Sequence, residues 1–157
     1  MLSACSTHKA TSSAHASARS KAAASGQMTV DSTKPANEGI AWIQSDMLMT
    51  VLEQAQKENK PVFVEFFATW CGPCKVMERE VFSQQDIYEF TNKNFLSYRV
   101  DVDKPAGKKI SDIFEVEGMP TVLFLNPKGV VLERELGLIT DSRFMKLGQK
   151  ALDKMQN

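Results

Sequence analysis

No stretch of this 157-residue chain approaches the roughly 20 consecutive apolar residues that a membrane-spanning helix requires. A surplus of charge is missing too. Nineteen Lys and Arg balance nineteen Asp and Glu, so the chain has no strongly basic surface for a phosphate backbone, and nucleic acid is set aside as a partner. Histidine and cysteine are scarce, two and three residues, which leaves few ligands for a zinc site. No internal repeat is visible. Before Trp42 there is no aromatic residue, and before Asp31 there is no acid; Ser, Ala and Thr dominate instead. Such a stretch has too little apolar surface to offset the entropy of ordering it, so residues 1–38 are expected to be a disordered tail. The remainder, 39–157, is expected to fold as one domain, since a chain 43% hydrophobic can bury a single core.

What is present is concentrated in Trp70-Cys71-Gly72-Pro73-Cys74-Lys75. Residues 62–67 (Val-Phe-Val-Glu-Phe-Phe) read as a buried strand, and the segment after Cys71 reads as a helix whose first turn carries both sulfurs. Cys71 is thereby placed at a helix N-terminus. Unpaired N–H groups and the positive end of the helix dipole favour a thiolate there, while Cys74, one turn further in, is expected to be more sheltered. Gly72 permits a tight turn, and Pro73 suits a helix start, where an N–H has no partner to lose. The pattern favours Cys71 as attacking thiol and Cys74 as resolving thiol. Two alternatives stand beside the redox reading. Half of a zinc site would need Cys5, His8 and His15 from the tail, and a purely structural disulfide across three residues closes too small a loop to stabilise much. No metal is expected.

Glu65 lies in the middle of the apolar strand. Burial on both faces disfavours its charged form and is expected to raise its pKa; the alternative is an exposed acid at a sheet edge.

The hexapeptide resembles the active-site motif of the thioredoxin family, and the resemblance extends over roughly residues 42–155. Gly118-Met119-Pro120-Thr121, before the apolar run 122–125, resembles the family's cis-proline loop; the plainer reading is a proline that opens a strand. Asp101-Val102-Asp103 resembles the end of the family's next parallel strand. The fold implied is α/β, a central mixed sheet of four to five strands flanked by helices. The family's buried acid is Asp, and Glu65 holds its position. That match implies a proton acceptor for Cys74. Arg99 stands where the family has Lys; it either pairs with Glu65 or is a solvated strand residue. Lys75 is a second supporting position. Trp70, Gly72, Pro73, Met119 and Pro120 are the substrate-facing positions implied, with Met119 offering backbone hydrogen bonds to a substrate segment. Trp42 is read as core or near-core.

The flanks depart from cytosolic thioredoxin. Phe67 replaces a Trp, no proline occupies Arg79, and Lys60-Pro61 and Met77-Glu78 are closer to the extracytoplasmic thiol:disulfide interchange reductases. The activity implied is a protein-disulfide reductase that works as a monomer without a bound cofactor. Its partners would be disulfide-containing proteins and an electron-donating reductase, through a membrane relay if the setting is periplasmic. A thioredoxin-like binding or assembly module, or a disulfide oxidase or isomerase, are the alternatives.

Leu2-Ser3-Ala4-Cys5 resembles the lipobox of bacterial lipoproteins, although the charged and apolar segments that precede such a box are not in the sequence. The leading reading lipidates Cys5 and makes the tail a membrane tether, placing the domain in the periplasm or anchored outside the cytosol. An organellar transit peptide, or a plain tail on a cytoplasmic protein, are the others.

Pattern along the chain predicts the element order β-α-β-α-β-α-β-β-α. A short strand at 39–43 precedes a helix capped by Ser45, with Leu48, Val51, Leu52 and Ala55 on one face, stopped at Asn59-Lys60-Pro61. After the Cys71 helix, Ser83 with Asp86 predicts a fresh cap, followed by strand 95–102 and a helix carrying Ile110, Ile113 and Phe114. Asn126-Pro127-Lys128-Gly129 predicts a turn between strands 121–125 and 130–136. A last helix from Asp141 is expected to bury Phe144, Leu147, Ala151, Leu152 and Met155.

Overall fold

A computed structural model of the chain describes residues 39–156. The tail 1–38, Cys5 included, lies outside the described residues. The elements are β1 (Trp42–Ile43), α1 (Leu48–Glu58), β2 (Val62–Phe67), α2 (Gly72–Met77), a π-helical turn (Glu78–Phe82), α3 (Gln85–Asn94), β3 (Leu96–Asp101), α4 (Pro105–Ile113), β4 (Thr121–Leu125), β5 (Val131–Leu136) and α5 (Asp141–Gln156).

Five strands form one sheet in the order β1-β3-β2-β4-β5. The first three neighbours run parallel, β4 is antiparallel to β2, and β4 and β5 form the expected hairpin. Parallel pairing therefore involves three strands rather than the two expected. Continuous apolar character explains the centre: β2 and β4 are buried along nearly their whole length, as strands covered by helices on both faces must be. Alternation along β2 splits the core in two. Phe63 points into a cluster with Met77, Phe82, Phe124 and Phe144, whereas Val62, Val64 and Phe66 point to the opposite face with Val51, Ala55, Tyr98 and Leu123. Phe63 stacks at 5.5 Å on Phe124 and meets Phe144 edge-on at 5.1 Å. Trp42 joins that cluster, half-buried against Phe63 and Phe82.

Several expectations are corrected. The Cys71 helix is not regular to its end: α2 passes into a π-helical turn at Glu78, and α3 follows as the separate helix expected after Ser83. Ser45 does not cap α1: its hydroxyl bonds the N–H and carbonyl of Met47 and closes a turn two residues ahead of the helix. Ser83 does not cap α3 either, because its hydroxyl donates backward to the Arg79 carbonyl, and Gln84 holds the cap position without a side-chain bond. Ile113 is exposed rather than turned inward, and Leu152 and Met155 are only half-buried.

The approach of α4 to the end of β3 depends on Gly107. A Cβ there would lie 1.9 Å from the Asp101 carbonyl oxygen, a backbone atom that cannot swing aside. Gly107→Ala is expected to destabilise the domain by about 3 kcal/mol in urea unfolding, because helix and strand must separate. An unchanged unfolding midpoint would show that α4 shifts freely.

Candidate active site

The carboxyl end of β2 delivers the chain into α2, and this handover places the cysteines. Cys71 is the N-cap residue of α2, in extended backbone, and its sulfur accepts the Cys74 N–H at 3.2 Å. A sulfur thus fills the place that a Ser or Asp oxygen usually takes at a helix start. Pro73 sits in the first turn, where it sacrifices no helical hydrogen bond. The two cysteines are joined as a disulfide, with Cα atoms 5.4 Å apart. Cys71 is 4% exposed and Cys74 2%, so the expected contrast in shelter is slight in this oxidised form. Ala68, Phe67, Val102 and Met119 pack around them.

Met119-Pro120 is a cis peptide bond, as the resemblance implied, and Met119 packs on the cysteine cluster. The loop is tied at both ends: Thr121 Oγ1 donates to the Gly118 carbonyl at 2.7 Å, and the Gly137 N–H donates to the Pro120 carbonyl at 2.8 Å. Trp70 is 67% exposed, and its indole N–H donates to Asp103 Oδ1 at 3.0 Å. Gly72, Pro73 and Lys75 are exposed at the start of α2.

Glu65 is central in the sheet, not at an edge, and is fully buried. It shares a face of β2 with Phe63, which packs on Met77, and with Phe67, which packs on the cysteines. The carboxyl therefore lies beneath the active-site helix. Arg99, its register partner on β3, brings Nε to 2.8 Å from Oε2. That approach is a charge contact rather than a directed hydrogen bond; both Glu65 oxygens and the Arg99 Nε lack an aligned partner. Arg99 also donates from Nη1 to Glu78 Oε1 at 3.1 Å, and its guanidinium carbon lies 4.2 Å from the Phe67 ring centroid and 5.2 Å from that of Trp42. Burial pushes the Glu65 pKa up to about 7, against the opposing pull of Arg99, and the charge of Glu78 adds to the rise. A groove of about 590 Å³, lined by Trp42, Asp46, Phe67, Tyr98, Arg99 and Lys104 among others, opens beside the guanidinium.

Sequence reasoning missed Glu78 and Asp103. Cys74 and Glu78 are four residues apart, a spacing that puts them on one helix face and was available as a signal. Asp103, read only as the end of a strand, accepts from both the Thr69 hydroxyl and the Trp70 indole in the turn between β2 and Cys71.

A mixed five-stranded sheet with a cysteine pair at the N-terminus of the helix after its central strand defines a thioredoxin fold. The sequence profile described as the Thioredoxin-like domain matches residues 48–152, and the chain belongs to that family. A thioredoxin of Mycoplasmoides gallisepticum is 34% identical over 98 residues, spanning 61% of this chain and 89% of that protein. The thiol:disulfide interchange protein DsbD of Pseudomonas fluorescens is 30% identical over 83 residues, which are 52% of this chain but only 14% of that much longer protein. Among solved structures, a thioredoxin from Thermus thermophilus superposes with a TM-score of 0.66 at 26% identity, covering 74% of this chain and 90% of that one.

The site makes stability depend on pH. Glu65 holds its proton more tightly folded (pKa about 7) than unfolded (4.5), so its contribution is complete below 4.5 and is lost as pH rises through 7. Glu65→Gln should flatten that window and overtake the wild type above pH 7, by up to on the order of 3 kcal/mol. Urea unfolding between pH 4 and 8 measures it; parallel curves for the two proteins would contradict the assignment.

Proposed function

We propose that the protein is a thiol:disulfide oxidoreductase that reduces protein disulfides through Cys71 and Cys74. The observation that carries this reading is the Cys71 sulfur capping α2, with a buried carboxyl poised near neutrality beneath the same helix. In the reduced form the Cys71 thiolate, favoured by the helix N-terminus, attacks a substrate disulfide; one S–S bond breaks as another forms, and the first substrate sulfur leaves as thiolate. Cys74 passes its proton to the Glu65 carboxylate and attacks the Cys71 sulfur. That step restores the Cys71–Cys74 disulfide and frees the second substrate sulfur, so two electrons have moved to the substrate. Trp70, Gly72 and Pro73 present an exposed rim for docking, with Met119 and Pro120 beside the sulfurs. Lys75 adds a positive charge on the first turn.

Substrates on this reading are disulfide-containing proteins met by a monomer, and the domain, 39–157, needs no bound cofactor. A reductase must return the two electrons. Similarity to the interchange protein supports a membrane relay as donor and a setting outside the cytosol, and the Leu2-Ser3-Ala4-Cys5 pattern supports Cys5 as lipid attachment and 1–38 as tether. No helix among the described residues is long and apolar enough to cross a membrane.

Catalysed reduction of insulin by dithiothreitol tests the activity, and equilibration with thiol buffers should place the pair near the about −270 mV of thioredoxin. A potential near the about −120 mV of a strong disulfide oxidant would reverse the direction assigned. Cys74→Ser should accumulate mixed disulfides on Cys71, whereas Cys71→Ser should accumulate none; the opposite pattern would exchange the two roles.

A further inference from the structure

Arg99 is one cation serving two carboxylates. Its Nε faces buried Glu65 at 2.8 Å, its Nη1 donates to Glu78 at 3.1 Å, and the Phe67 and Trp42 rings hold the guanidinium between them. The two acids differ in every other respect. Glu65 is fully buried and makes no aligned hydrogen bond, whereas the Glu78 side chain is 58% exposed. Glu78 opens the π-helical turn directly after α2, four residues from Cys74. Its carboxylate is therefore an ionic link between the cysteine-bearing segment and the sheet, beside the apolar packing of Met77 and Phe82 on Phe63.

We propose that Glu78 is a positioning residue for the resolving step: by taking part of the Arg99 charge it keeps Glu65 able to accept the Cys74 proton, and it anchors the helix above that carboxyl. This rests on the reductase reading given above. The charged groups acting on Glu65 are few. Arg99 comes from β3 and Glu78 from the π-helical turn, while β4 offers the apolar Val122 in register. Were Arg99 to serve Glu65 alone, the carboxyl would become a weaker base, slow to take a thiol proton at neutral pH. Were Arg99 absent, burial would hold the carboxyl protonated and equally unable to accept. Sharing the cation with an exposed acid sets the balance between these failures. Glu78 is exposed, so the adjustable member of the triad is the one that solvent reaches.

The prediction is directional. Reduced protein mixed with 5,5′-dithiobis(2-nitrobenzoate) releases one thionitrobenzoate when Cys71 attacks and a second when Cys74 resolves, and stopped-flow absorbance times the second release. The pH at which that second rate reaches half its plateau should fall by roughly half a unit or more in Glu78→Gln, since Glu65 then has the whole cation, and rise by about one unit or more in Arg99→Gln. Glu65→Gln should lose this inflection. Glu78→Asp, which keeps the charge, should restore most of the wild-type midpoint. A purely structural tie would slow both the Gln variants without moving the midpoint, or move it in one direction for both, and either result overturns the proposal. If Arg99→Gln fails to fold, the comparison of Glu78→Gln with Glu78→Asp decides alone, with no midpoint shift as the refuting outcome. A wild type that releases no second thionitrobenzoate would instead sink the reductase reading itself.

Discussion

A carboxyl group shut into the apolar layer between the central strand and the active-site helix is the constraint from which the rest of the site follows. Water cannot solvate Glu65, no aligned donor replaces water, and its one close cation is shared. An ion in that position is costly, so the group shifts its pKa toward neutrality instead of remaining a firmly charged acid. Arg99 must then be held in place against its own entropy. Phe67 and Trp42 do this by packing on the flat guanidinium, an arrangement that favours Arg over Lys because the planar cation stacks and can meet two carboxylates at once.

Much of this was legible from local pattern. The apolar run 62–67 read as a strand buried on both faces, and that reading implied an unusual environment for the Glu within it. Cys-Gly-Pro-Cys after such a strand implied a helix N-terminus, and the structure adds the amide that donates to the first sulfur. What escaped was tertiary. Ser45 and Ser83 carry the right side chain for a cap but bond locally in the wrong direction, one within its own turn and the other backward into the π-helical turn. Composition does not encode that choice, because the same hydroxyl satisfies either geometry. Pairing of Arg99 with Glu65 could be stated only as one of two options, since it depends on register across β2 and β3. Glu78 was hidden because its partner, Arg99, comes from a strand distant in sequence, and a regular helix up to Ser83 gave its carboxylate no destination.

The π-helical turn at Glu78–Phe82 performs two tasks that an uninterrupted helix would divide differently. Val81 and Phe82 both enter the core there, beside Met77, although consecutive residues on a regular helix point about 100° apart. Wider winding lets neighbours share an inward face while Glu78 stays outward against Arg99. Anchoring of the segment is thereby both apolar, through the Phe63 cluster, and ionic, through the shared cation. The apolar anchor holds the segment on the core whichever of the two carboxylates Arg99 serves.

Two influences on the sulfurs oppose one another. The open end of α2 and the Cys74 amide favour negative charge on Cys71, which stabilises the reduced pair and makes it a better oxidant. Acids close by act the other way: Glu65 and Glu78 lie under or on the same helix, and Asp103 holds the Trp70 that precedes Cys71. Every negative charge near the pair destabilises a thiolate relative to the uncharged disulfide, and about 1.4 kcal/mol of such bias lowers the potential by 30 mV. A helix terminus contributes at most about 2 kcal/mol, which is comparable to one or two partly buried charges. On the reductase reading, the acids need only cancel the helix end for the disulfide to be favoured in this protein over its substrates. Arg99 then matters twice, because its charge neutralises part of the field that would otherwise make the Cys71 thiolate too scarce to attack.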